Sequence, residues 1–189
     1  MKRERKSNGR KSKSLNWSAV KAAIYQLDEK EQMLLIKDLY KISKENRDFL
    51  HTRFSIGLNP ESSYKKVIED SMYPDVMENE DFQYQRAHRA IKNYIAAGGS
   101  NEGIIDLMIY FVECGHQFTL DYGDVDEIFY DTLIEMYGKA VNKILTLPKA
   151  KQKLFLGRLK KIMNSSDGIG WGYHDDICHY YYDVLQEND

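Results

Sequence analysis

Cysteine, proline and long apolar runs are all scarce in this 189-residue chain. With only two cysteines, Cys114 and Cys178, it cannot be a disulfide-dense scaffold. Three prolines and 12 glycines exclude collagen-like and proline-rich linker proteins. The most hydrophobic stretch, Ile104 to Val112, is interrupted by Asp106 and falls far short of the roughly 20 apolar residues a membrane-spanning helix needs. No apolar segment of signal-peptide type follows the basic start of the chain, so the expected compartment is the cytoplasm, without membrane contact. Cys-x-x-Cys pairs, zincin motifs and nucleophile elbows are also missing, and no cofactor is expected.

Apolar residues, at 42% with 12% aromatic, are plentiful enough for a packed core. Charge is divided unevenly. Residues 1–14 hold seven basic side chains, Lys2, Arg3, Arg5, Lys6, Arg10, Lys11 and Lys13, against Glu4 alone, a net +6. The remaining 20 basic and 28 acidic residues give the rest of the chain −8. A basic segment with Met1 as its only apolar residue cannot offset its ordering entropy, so a disordered arm is expected there. Such an arm suits nucleic acid or another polyanion through counterion release.

Beyond the arm, spacing is helical throughout. Trp17, Val20, Ile24 and Leu27 share one helix face behind the N-cap residue Asn16, and Asp28 with Glu31 forms a capping box for a second helix. Ser43 is placed to cap a third, and the three are expected to pack as a short-looped bundle. Asn59-Pro60-Glu61 reads as a helix start, Gly98-Gly99 as a helix end, and Asn101 as the cap of a nearly all-apolar helix that should lie at the centre. Asp124 is expected to cap the next helix, with Ile128, Phe129, Met136 and Ala140 facing inward, and Pro148 to open another. The fold class that follows is all-α: a single bundle of eight or nine helices over residues 15–189.

Leu39-Tyr40-Lys41 with Lys44 to Leu50, Asp121 to Glu127, and Gly168 to Asp175 together resemble a small, all-helical bacterial protein family of unknown function. The resemblance implies a helical fold over most of the chain after the arm. It implies no activity, so no catalytic role transfers to any residue.

Candidate chemistry concentrates near the C-terminal end. His174 and Cys178 stand at i and i+4 of a helix, as do Asp175 and His179, and Cys114 with His116 would complete a Cys2His2 zinc set. The alternative to that set is a half-buried helix whose cysteine acts as a small hydrophobe and whose histidines find hydrogen-bond partners. His174-Asp175 also matches the adjacent His-Asp pair of metal-dependent phosphohydrolases, with His179, His116 and Asp183 as further candidates. Gly168, Gly170 and Gly172 precede this helix, but without a preceding strand or a following Lys-Ser/Thr they do not form a phosphate loop. They are expected to let the chain turn with Trp171 packed inward, so that Trp171, Tyr173, His174 and Asp175 converge on a cleft. Asp121, Asp124, Asp126 and Glu127 fit helix capping better than calcium binding, since Gly123 and Val125 occupy alternate positions where oxygen ligands are needed. The function expected is an accessory protein acting by interaction with an unidentified protein partner. The rival reading is a metal-dependent hydrolase of phosphohydrolase or nuclease type, using His174, Asp175 and His179.

Overall fold

A computed structural model describes residues 16–186. The basic arm and its seven candidate contact residues therefore lie outside the described residues. Within them the chain forms nine α-helices and no strand. Two compact units emerge, Met1–Arg47 and Asp48–Asp189.

The described part of the first unit holds α1 (Trp17–Ile24), α2 (Glu29–Ile42) and the start of α3 (Lys44–Arg53). Local capping sets its boundaries. Asn16 accepts from the Ala19 amide at 3.0 Å, Asp28 and Glu31 form the full capping box, and the Ser43 hydroxyl accepts from the Asn46 amide. Gln32 ties α2 back to α1 by donating from Nε2 to the carbonyl oxygen of Leu27 at 3.1 Å. The packed bundle expected here is absent: no residue of α1 or α2 is buried.

The second unit is built around the 22-residue α6 (Asn101–Tyr122). It is covered by α4 (Ser62–Met72), α5 (Tyr84–Ala96), α7 (Glu127–Ile144) and α8 (Lys149–Ser165), while α9 (Tyr173–Gln186) packs on α7 and α8. Ile105, Leu107, Ile109, Phe111 and Val112 of α6 are fully buried, as an all-round apolar helix requires. Gly115 permits the close approach of α7, because a Cβ there would sit 2.5 Å from a methyl of Leu133.

Several helix starts differ from expectation. Ser100, not Asn101, caps α6, and Asp126, not Asp124, caps α7 by accepting from the Phe129 amide at 2.8 Å. The later start turns Ile128 outward, to 66% exposure, while Phe129, Tyr130 and Leu133 fill the core. Asn59-Pro60-Glu61 forms a turn ahead of α4, whose cap position, Glu61, makes no side-chain capping bond. The end of α5 is closed from a distance: the Arg53 guanidinium donates to the carbonyl oxygens of Ala96 and Ala97 at 2.6 and 2.7 Å.

Candidate functional site

Residues of α6, α7, α8 and α9 meet where α8 gives way to α9. The connection Asp167–Gly172 needs left-handed backbone at Gly168 (φ 81°), Trp171 (φ 60°) and Gly172 (φ 70°), so two of its three glycines serve the turn directly. Trp171 does not pack inward. Its ring is half exposed, and its indole Nε1 donates to Oδ2 of Asp124 at 2.9 Å. The other Asp124 oxygen accepts from the buried Tyr130 hydroxyl at 2.8 Å, which explains why Asp124 is free of capping duty.

Consecutive serines at the end of α8 fix two histidines. Ser165 Oγ donates to the Lys161 carbonyl at 2.8 Å, so it accepts from His116, whose Nε2 lies 2.8 Å away. His116 therefore carries its proton on Nε2, and its Nδ1 accepts from the Tyr173 hydroxyl at 3.2 Å. Ser166 Oγ likewise donates to the Met163 carbonyl at 2.8 Å and accepts from Nδ1 of His174 at 2.8 Å. That leaves His174 Nε2 as an acceptor facing the Cys178 thiol at 3.5 Å. Both imidazoles are neutral and satisfied at both nitrogens.

Burial sets the electrostatics. Desolvation holds His116 down at about 4 and pushes Tyr173 well above the usual phenol range. It also raises the Cys178 thiol, assisted by Asp175 and Asp167, and lifts Cys114 to about 12. Neither thiol is activated as a nucleophile.

The expected cleft does not form. Tyr173 is fully buried and belongs to the core, with its ring against those of His116 and Tyr130. Trp171 lies at the surface, His174 is half-buried with its nitrogens turned to Ser166 and Cys178, and Asp175 is exposed in the first turn of α9.

Among the described residues, no three His, Cys, Asp or Glu side chains are grouped to hold a metal. The set Cys114, His116, His174 and Cys178 fails for a helical reason. Residues two apart on a helix point about 200° from each other, so Cys114 and His116 cannot face one ion. His116 turns to α8 and α9, whereas Cys114 lines a separate groove between α4 and α6. The hydrolase trio His174, Asp175 and His179 is not drawn together either, and the side chain of Asp183 lies outside the described residues.

Sequence reasoning missed two features. The α4–α6 groove encloses about 480 Å³ and is lined by Glu69, Tyr73, Tyr110, Glu113, Cys114 and Gln117. Beside it, Arg158 of α8 grips Glu113 through Nε and Nη2 at 2.8 and 2.6 Å and Asp106 through Nη1 at 2.5 Å, while Lys65 of α4 completes the cluster at 2.7 Å from Asp106. Glu113 and Lys65 lie 45 and 93 positions from Arg158, so no local pattern announces the cluster. In the first unit, the exposed apolar side chains of α1 and α2 form the other unassigned feature. No protein-family model, curated protein or solved structure matches this chain.

Proposed function

We propose that this chain is a cytoplasmic interaction protein, a packed helical body carrying contact elements and no reaction centre. One observation carries the reading: α1 and α2 display Trp17, Met33, Ile36, Leu39 and Ile42 at 45–73% exposure and bury none of their residues. Faces of this kind mark contact sites on folded proteins. The basic residues Lys2, Arg3, Arg5, Lys6, Arg10, Lys11 and Lys13 supply a second contact element, with nucleic acid as the polyanion proposed. The bacterial-family resemblance belongs to this reading and adds no activity to it. Two free cysteines agree with a reducing compartment, and no helix among the described residues is long and apolar enough to cross a membrane.

The hydrolase reading gains no support from the C-terminal cluster, whose histidines are neutral and already bonded. Full-length protein, tested against a short labelled single-stranded oligonucleotide by fluorescence anisotropy, is expected to bind with a log–log salt slope of about 4. Replacing the seven basic residues with Gln should abolish that binding while leaving circular dichroism unchanged. Equal binding by both proteins removes the polyanion element. Metal-dependent phosphodiester turnover that disappears in His174→Ala overturns the interaction reading itself.

A further inference from the structure

The free apolar arc of α2 has a definable shape. At 3.6 residues per turn, Met33, Ile36, Leu39 and Tyr40 fall within about a third of the helix circumference. Their exposures run from 36% at Tyr40 to 64% at Met33, and Ile42 nearby reaches 73%. Leu34 stands on the opposite side with Lys30, Lys37 and Lys41, so it supplies an internal control. Leu35 and Gln32, the half-buried positions of α2, are spent on the turn toward α1 and its Ile24 and Leu27. What remains on α2, together with Trp17 and Val20 of α1, has no covering partner.

We infer that this face is an interface with a second copy of the same chain, the two helical hairpins completing one four-helix bundle. The inference rests on the interaction reading only in taking the apolar face as a contact surface. Two quantities favour a copy of the chain as its occupant. Large apolar side chains expose roughly 150–250 Å² each when free, so the exposed fractions amount to on the order of 700 Å² per protomer. A standard stable interface takes about 800 Å² from each partner, which this face nearly supplies before any lysine stem is counted. Second, the described residues of the first unit, 16–47, fall below the roughly 40 residues under which a chain ordinarily needs oligomerisation or a staple to be stable. A two-helix hairpin with an unburied face is one half of a four-helix bundle, and a two-fold axis supplies the other half.

Sedimentation velocity of the full-length protein over a micromolar dilution series tests this. Wild type is expected to sediment at twice the monomer mass. Ile36→Glu with Leu39→Glu should weaken association at least roughly a hundredfold, whereas Leu34→Glu should leave it unchanged. Because the double variant can lose helix as well as contact, Trp17 emission is followed in an otherwise intact Trp171→Phe protein. Dimerisation predicts a red shift on dilution at the same concentrations at which the mass falls. A monomer at every concentration with solvent-exposed Trp17 overturns the self-association inference and leaves the interaction reading standing with a different partner. A monomer whose Trp17 is shielded from iodide means the face is covered within the chain, which overturns both. Dissociation by Leu34→Glu to the same degree as the double variant also overturns the inference, since a surface-wide charge effect would then explain the loss.

Discussion

The Tyr173 hydroxyl donates to Nδ1 of His116 across 3.2 Å, and the two rings stack with centroids 5.8 Å apart. This pair joins the N-terminal turn of α9 to the middle of α6, and Ser165 at the end of α8 closes it from the other side. Each group is buried or nearly so, and each is used up by its neighbours. The arrangement therefore anchors α9 by hydrogen bonds while leaving no nitrogen for a substrate or a metal.

Stability should fall with acid because of His116. Its folded value of about 4 lies below the ordinary 6.5, so the unfolded chain binds the proton more readily between those two values. Above about pH 6.5 both states are neutral and the full stability is present. As pH drops from 7 to 5, the unfolded state gains about 2 kcal/mol from this one group. Urea midpoints at pH 7 and pH 5 check this, and in His116→Gln the pH-dependent loss should shrink by that amount.

Asp124 bridges Trp171 and Tyr130, so Asp124→Ala removes two hydrogen-bond acceptors at once. The exposed indole can turn to water, whereas the fully buried Tyr130 hydroxyl keeps only Thr119 at 3.3 Å. A loss of about 1–3 kcal/mol is expected, most of it from Tyr130. Trp171→Phe should cost less than Asp124→Ala in chemical denaturation. The reverse order would place the main burden on the indole bond.

Features made by neighbours along the chain were legible in the sequence. The Asp28–Glu31 box and the Asn16 cap are bonds between residues three apart, and α6 announced its burial by being apolar on every side. Features made across the fold were not. Asp124 and Asp126 are equally good caps by residue type. Only the Tyr130 and Trp171 contacts, the latter 47 positions away, decide that Asp126 takes the role. His116 looked like a ligand because its partners, Ser165 and Tyr173, lie 49 and 57 positions away. Trp171 was expected inside because tryptophan is apolar, yet a left-handed backbone and a reachable carboxylate hold it at the surface.

Arg158 provides a test of how α8 is fastened to α6. Its planar fork meets Glu113 with two bonds and Asp106 with a third, in a setting where all three side chains keep between 23% and 32% exposure. Arg158→Met leaves Glu113 without this partner, while Asp106 retains Lys65. The expected cost is about 1–3 kcal/mol, below the range for a fully buried pair because water reaches all three groups. Arg158→Lys should recover only part of it, since an ammonium cannot reproduce the two-pronged contact. Thermal melts of the two variants at low and high salt check the order.

The pairing of Cys178 with His174 predicts a slow thiol. Cysteine reactivity requires thiolate, and here burial together with Asp175 and Asp167 raises the thiol's pKa while the neutral imidazole merely accepts its proton. Cys114 is more deeply buried and raised to about 12. Titration of the native protein with iodoacetamide near neutral pH should therefore modify neither residue at the rate of a free cysteine, with the half-exposed Cys178 reacting before Cys114. His174→Ala removes the imidazole from both Ser166 and Cys178, so it should lower stability by about 1–2 kcal/mol and leave Cys178 still slow. Rapid alkylation of Cys178 in the wild type that depends on His174 would mean that the imidazole takes the thiol proton, and it would return the C-terminal cluster to candidacy as a reaction centre.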